Sequence, residues 1–249
     1  MRRTRAALAS LALVALLALA AGCGGEDTAG GAAAPSSADS APVEPVRPAT
    51  TAAQDIEPTG AIWDALPGTC REDLDGFDAT WVKQAAALAA AKKAGKPAAQ
   101  RKKIERKLAA LEMQYITHSN VCINDISDWS KAAHPLEELL GEAASTSADI
   151  DVQVMCEQPL QWKLSTLDSL LAGWEELGFV MSGETIVHLS PRTCLMLDSL
   201  LAAADPAIPC LQQEMARKPE RACPPGVAEQ AFAVVTLTHE AHHAAGYLN

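Results

Sequence analysis

The chain has 249 residues and a formal net charge of −11 at pH 7. An acidic chain repels phosphate groups, so its composition argues against nucleic acid as a partner and against direct binding to anionic lipid headgroups. Beyond the N-terminal twenty or so residues, no apolar segment is long enough to suggest a membrane-spanning helix.

The first 22 residues have the pattern of a secretory signal peptide. Arginines at positions 2, 3 and 5 precede an apolar run that ends at Ala21 and is short for a spanning helix. The exit, Ala20-Ala21-Gly22-Cys23, resembles a bacterial lipobox, with the usual leucine one place early at Leu19. The resemblance implies cleavage before Cys23, lipidation of that cysteine, and anchoring to the outer face of the cell membrane. Loss of the three arginines would lower the net charge from −11 to −14. Plain secretion is the alternative.

Residues 23–58 are rich in Ala, Pro, Ser and Thr and have almost no large apolar side chain, which predicts a disordered tether. Residues 59–148 are predicted to be helical. One helix is expected at 77–93 and a second at 98–117, separated by a break at Gly95-Lys96-Pro97. The basic residues at 101–107 favour a solvated helix face over a contact for an acidic partner or phosphate. His118 and His134 are isolated, which is typical of surface or hydrogen-bonded histidines.

Residues 149–249 have a different pattern, in which short strands alternate with helices. Ser190 is expected to cap a helix that has Pro191 at its first position. With the helical region before it, this pattern predicts an α+β fold with a short sheet. The predicted elements are a strand at 150–156, a helix at 164–176, a hairpin at 179–189, a helix at 190–204, a loop at 205–225 and a last helix at 226–245.

Six cysteines remain once Cys23 is set aside, an even number that suggests three disulfides in an exported chain. No pair has the CxxC spacing typical of cysteine-based zinc sites. Spacing alone leaves the connectivity open, although proximity favours a pair between Cys210 and Cys223. The six are Cys70, Cys122, Cys156, Cys194, Cys210 and Cys223.

The last predicted helix contains His239-Glu240-Ala241-His242-His243, an HExxH sequence. Residues four apart lie about 40° apart around a helix, so His239 and His243 can bind one Zn²⁺. Glu240 lies beside the first histidine and can act as general base toward a water molecule activated by the metal. The alternative is a helix whose histidines and glutamate are merely solvated.

These residues resemble the zincin metallopeptidases over about the last 65 residues. The resemblance implies that His239 and His243 are zinc ligands, that Glu240 is the catalytic base, and that a peptide or protein is the substrate. It also implies that the predicted strand at 185–189 borders the cleft and pairs with extended substrate. Residues 149–249 would then form a small zincin-like domain, with the motif helix beneath a short sheet and the helical region packed on it.

Zincins need a third protein ligand after the motif, and only six residues follow His243. Asn249 stands where some zincins have a third histidine, and amides are weak zinc ligands. The ending also resembles exported bacterial proteins in which such a motif continues into a Glu-bearing helix. We therefore expect a truncated sequence whose third ligand is not in this chain. His188 or His242 are alternatives within it.

Two classes of function follow from these residues. The first is a zinc-dependent, peptidase-like lipoprotein of the cell envelope. The second is a non-catalytic binding or structural lipoprotein with a degenerate or coincidental HExxH. A third and weaker interpretation is a redox or heavy-metal protein that uses its cysteines, which three intact disulfides would exclude.

Overall fold

The computed structural model describes residues 60–171, 176–203, 207–215 and 223–247. The predicted signal peptide, Cys23 and the tether lie outside this part of the chain. None of the helices that the structure describes combines the length and apolar character needed to cross a bilayer. The elements of the first half are α1 (Ala61–Ala65), α2 (Gly68–Lys93), α3 (Ala98–Asn124) and α4 (Trp129–Ala148).

The second half mixes helices with three short strands, so the predicted α+β class is confirmed. The elements are β1 (Gln153–Cys156), α5 (Pro159–Ser165), α6 (Leu167–Leu171), β2 (Gly178–Val180), β3 (Ile186–Leu189), α7 (Pro191–Ala202), α8 (Ile208–Met215) and α9 (Pro225–Ala244).

The first half is helical as predicted, and its two long helices pack against each other. They are separated at the predicted break, where Gly95 has a φ of 63° that favours glycine and Pro97 precedes α3. Trp81 and Tyr115 are buried. The basic side chains at 102, 103, 106 and 107 are exposed, as expected for a solvated face.

The three strands form one sheet in the order β1-β3-β2. β1 runs parallel to β3, and β2 runs antiparallel to it through the predicted hairpin, with Gly183 in the turn at a φ of 84°. Side chains alternate along β3: Val187 and Leu189 are fully buried in the core, while His188 lies on the opposite face. The predicted cap is also present, because the Ser190 hydroxyl accepts a hydrogen bond from the Thr193 amide.

Several predicted bounds differ from the structure. Helix α2 begins at Gly68 and not at 77, helix α3 ends at Asn124 and not near 117, and β1 begins at Gln153 and not at 150.

Two other segments differ in character. The helix expected at 164–176 begins earlier, at Pro159, and breaks at Thr166, whose side chain bonds to the Trp162 carbonyl. Leu167, Leu171 and Trp174 have the spacing of one apolar stripe along the predicted helix. Leu167 and Leu171 are solvent-exposed, and Trp174 lies outside the described residues. The loop expected at 205–225 contains the helix α8, while 216–222 also lie outside the described part.

Helix α9 lies at the centre of the packing. It contacts α2, α3, α4, α7, α8, β2 and β3. Its core-facing side chains Val234, Leu237 and Ala241 are fully buried. They belong to one apolar cluster that also contains residues of α1, α4, β1 and β3. A buried ion pair between Arg192 and Glu229, 3.3 Å apart, links α9 to α7.

Three disulfides cross-link these elements, which confirms the number expected from six cysteines and the predicted Cys210–Cys223 pair. Cys70–Cys122 joins the start of α2 to the end of α3. Cys156–Cys194 joins the end of β1 to α7. Cys210–Cys223 ties α8 to the residues that precede α9.

The start of α1 is held by a side chain far along the sequence. Asp198 in α7 is fully buried, and its two carboxylate oxygens accept hydrogen bonds from the amides of Gly60 and Trp63, each at 2.8 Å. These are amides that the first turn of a helix leaves without partners of its own. Asp198 therefore caps α1 from a distance.

We predict that Asp198→Ala lowers the free energy of unfolding by about 3 kcal/mol, because two buried amides lose a charged acceptor. Chemical denaturation followed by circular dichroism measures the change. The control is Asp64→Ala, which removes an exposed ion pair with Arg71 and is expected to cost less than about 1 kcal/mol. Equal effects of the two substitutions would contradict the role given to Asp198.

Candidate metal and catalytic site

The HExxH residues lie on the side of α9 that faces away from the core. Phe232, Val235 and His239 are exposed, and Glu240 and His243 are half-buried. Because helical positions repeat every 3.6 residues, burial of Leu237 and Ala241 turns these side chains outward. The packing of α9 thus presents both histidines to solvent beside two exposed apolar side chains.

The two histidines converge on one point. The Nε2 atoms of His239 and His243 are 3.1 Å apart, and their rings meet edge to face with centroids 4.6 Å apart. At this separation one Nε2 can donate a hydrogen bond to the other. Two Zn–N bonds of about 2.0–2.1 Å to these atoms would meet at about 100°, close to tetrahedral geometry. The pair therefore fits two positions of a zinc site.

Glu240 lies in a mixed electrostatic environment. Burial raises the pKa of its carboxyl, the neighbouring His239 and His243 oppose this rise, and the Glu176 carboxylate adds to it. Glu176 immediately precedes the loop to β2, and its carboxylate accepts a hydrogen bond from Ser169. Glu176 is 64 residues before Glu240 and has no motif spacing to it, so only the folded chain reveals that it lies near α9.

The described residues do not complete the coordination. Among them, no third His, Cys, Asp or Glu side chain offers a ligand atom within 4.8 Å of both Nε2 atoms. His188 bonds to Glu157 instead, and the His242 ring lies against Tyr247 with centroids 6.0 Å apart. The alternative that either histidine supplies the third ligand is therefore not met in this structure.

One other group in the described part of the chain has metal-ligand spacing: Cys70, His118 and Cys122. The two sulfurs are bonded to each other, so the site has no thiolate to offer while the disulfide is intact. His118 pairs with Asp73 at 3.2 Å, and His134 is exposed beside Glu137 and Glu138. Both histidines thus have the surface or paired character that was predicted for them.

The strand predicted at 185–189 to pair with substrate is not at an edge of the sheet. β3 is the central strand, so its backbone groups over 186–189 face partners on both sides. The edge strand that contacts α9 is β2, whose outer side has no strand partner among the described residues. Contact between β2 and α9 is close, since a Cβ at Gly178 would lie 2.9 Å from Thr236. β2, and not β3, is therefore the edge strand that lies beside the motif helix.

Comparison with protein-family models, with curated proteins and with solved structures gave no match to this chain. A function must therefore be inferred from the arrangement of His239, Glu240 and His243.

The start of α9 is held by Asp78 of α2. The Gly226 amide donates a hydrogen bond to the Asp78 carboxylate at 2.9 Å, and a Cβ at Gly226 would lie 2.6 Å from the other carboxylate oxygen. Burial raises the pKa of Asp78 to about 6, against the opposing effect of this hydrogen bond. The folded state therefore favours the protonated carboxyl more than the unfolded chain does.

Because the folded-state pKa of Asp78 is raised, this residue makes the free energy of unfolding fall as the pH rises from about 4 to about 6. Asp78→Asn keeps an acceptor for Gly226 and removes the charge. We expect it to raise the unfolding free energy by about 2 kcal/mol at pH 7 and to change it little at pH 4. Denaturation curves at both pH values test this, with Asp151→Asn as control, because Asp151 is exposed and is not among the groups that raise the pKa of Asp78. A loss of stability at pH 7 would contradict the assignment.

Proposed function

We propose that this protein is a zinc-dependent, peptidase-like lipoprotein of the cell envelope. The observation that carries the proposal is the 3.1 Å convergence of the His239 and His243 Nε2 atoms on the open side of α9, with Glu240 next to them in sequence. When bound there, Zn²⁺ supplies Lewis acidity toward a carbonyl group and toward water.

Glu240 is the proposed general base, because it follows His239 in sequence and its carboxyl interacts electrostatically with both histidines. Its carboxylate can accept a proton from water at one oxygen and later transfer it to the departing amine of a peptide. The carboxylate is partly buried, so fewer water molecules solvate it. The two histidines lie on the same open side of α9. Removal of the carboxylate should therefore abolish hydrolysis while leaving both imidazoles in place.

A peptide would have two surfaces to contact. The outer edge of β2 offers backbone groups to an extended chain, in the manner of strand addition. Phe232 and Val235 are exposed by 57% and 40% on the same side of α9 as the histidines, and they suit an apolar side chain of the substrate. These surfaces support a peptide or protein substrate rather than a small polar one.

A third protein ligand to the zinc ion would have to come from outside the described residues. Catalytic zinc sites hold the metal by three protein ligands and leave one position for water or substrate. His239 and His243 supply two, and the exposed face of α9 leaves room for another segment to approach.

The absence of a third ligand among the described residues also favours a second candidate function. In that case the protein is a non-catalytic binding or structural lipoprotein whose HExxH is degenerate or coincidental. It predicts that His239→Ala changes neither the zinc content nor the stability of the protein.

We predict that Glu240→Gln keeps the zinc content of the wild-type chain and lowers peptide hydrolysis by at least about 100-fold, since it removes the base without removing a ligand. Metal analysis of purified protein and cleavage of a mixed peptide library provide the two measurements. A metal-free protein that still hydrolyses peptides would sink the proposal.

His239→Ala and His243→Ala should each remove the zinc ion bound between these two residues, because a single imidazole remains there. His242→Ala is the matched control: it lies within the same sequence but its ring faces Tyr247, so zinc content should not change. Equal zinc loss in all three variants would indicate unfolding of α9, which circular dichroism would detect.

We also propose that the protein is exported and held at the membrane through a lipid on Cys23. The three disulfides support this location, because such bonds form and persist mainly in oxidising compartments. A folded part at a distance from the membrane would suit a protein that acts on extracytoplasmic peptides.

Expression of the full chain in a bacterial host with a radiolabelled fatty acid tests the anchor. The wild type should be labelled and sediment with membranes, while Cys23→Ala should lose the label and the association, because the thiol is the attachment point. An unlabelled wild type that is released to the medium would favour plain secretion.

A further inference from the structure

A second histidine site lies on the opposite face of the sheet from the core. In the register of the sheet, His188 is the cross-strand neighbour of Phe179 on one side and Met155 on the other. The Phe179 ring stacks on the His188 ring with centroids 4.8 Å apart, and Trp162 of α5 stacks on Phe179 at 5.5 Å. This aromatic stack fixes the plane of the imidazole.

One nitrogen of His188 has a well-defined partner. Nδ1 lies 2.7 Å from a carboxylate oxygen of Glu157, and the two side chains are only 10% and 13% exposed. A carboxylate accepts hydrogen bonds, so the hydrogen-bonding pattern assigns the proton to Nδ1. In this tautomer the lone pair lies on Nε2.

The other nitrogen is a buried acceptor without a hydrogen-bond partner. Nε2 of His188 is shielded from solvent, and the carboxylate of Glu184 lies 3.8 Å from it, beyond hydrogen-bonding distance. An imidazolium paired with both glutamates would be expected to close this gap with an N–H···O bond. The 3.8 Å separation is within ion-pair range, and it exceeds by about half an ångström the distance between two ligand atoms of a tetrahedral ion with bonds of about 2.0–2.1 Å.

We propose that His188 Nε2 and the Glu184 carboxylate bind a divalent transition-metal ion of the Zn²⁺ class, at a site separate from the HExxH histidines. Imidazole nitrogen and carboxylate oxygen are both common ligands for such ions. The Glu157 carboxylate behind the ring is the outer partner that metal-bound histidines generally have, since it holds the tautomer and raises the basicity of the ligand.

The two proposed ligands differ in exposure and in the number of contacts that hold them. His188 is held by the aromatic stack and by Glu157, whereas the Glu184 side chain is 40% exposed and follows the turn at Gly183. A small movement of Glu184 brings both ligand atoms to bonding distance of one ion. The remaining positions of the ion would hold water or an exogenous ligand.

The test uses the full chain with His239→Ala and His243→Ala, so that the HExxH pair cannot bind metal. This background should still bind one Zn²⁺ in competition with a chromogenic chelator. NMR of the imidazole nitrogens should show a shift of His188 Nε2 on addition of Zn²⁺.

Three further substitutions in that background locate the ligands. Glu184→Gln should raise the dissociation constant at least about tenfold, and Glu157→Gln should raise it about 10–100-fold because it removes the outer partner. His188→Gln should abolish binding. His134→Gln is the control, since His134 also has glutamates nearby but is 70% exposed, and no change is expected.

Absence of Zn²⁺ binding in the double-alanine background would overturn the proposal, as would a dissociation constant that Glu184→Gln leaves unchanged. If His188→Gln fails to fold, the exposed Glu184→Gln still decides. Failure of zinc binding at His239 and His243 in the wild type would count against the proposed peptidase site alone, because the present test is made without those two residues.

Discussion

Burial of one face of α9 is the contact on which the rest of the structure depends. Val234, Leu237 and Ala241 are fully buried where helices from both halves of the chain meet the sheet. Each square ångström of apolar surface removed from water contributes about 25 cal/mol, so this central helix gains stability along its whole length. Because the helix is rigid, the same burial fixes the direction in which His239 and His243 point. The arrangement of this histidine pair is thus a consequence of core packing.

The two histidine sites are assembled by different means. The pair on α9 comes from local geometry, because residues four apart on a helix always lie on one side. The His188 site comes from strand pairing, since Phe179 reaches the ring only through the hairpin and Glu157 only through the parallel partner β1. The His239 and His243 rings lie on the open side of α9, whereas Nε2 of His188 is buried and has no hydrogen-bond partner. The His188 ring has contacts on two sides, because Phe179 stacks on its face and Glu157 contacts its Nδ1 atom.

Local signals predicted much of the fold correctly. The hairpin turn, the Ser190 cap, the break between the two long helices and the Cys210–Cys223 pair each depend on residues close in sequence. The errors arose where periodicity was taken for burial. The apolar spacing around Leu167 and Leu171 suggested one covered helix, yet both side chains are exposed and the helix breaks at Thr166. A regular stripe shows which residues share a face, but it does not show what covers that face.

The sequence by itself determined that His239, Glu240 and His243 share one helix and that six cysteines form three pairs, since helical spacing and parity need no knowledge of the fold. Only the tertiary structure decided which side of α9 is open, that β3 is central and β2 is the edge beside it, and that His188 belongs to Glu157 and Glu184 instead of the HExxH pair. These features depend on contacts between distant residues, and the free energy of such contacts is set by the packing of the whole core.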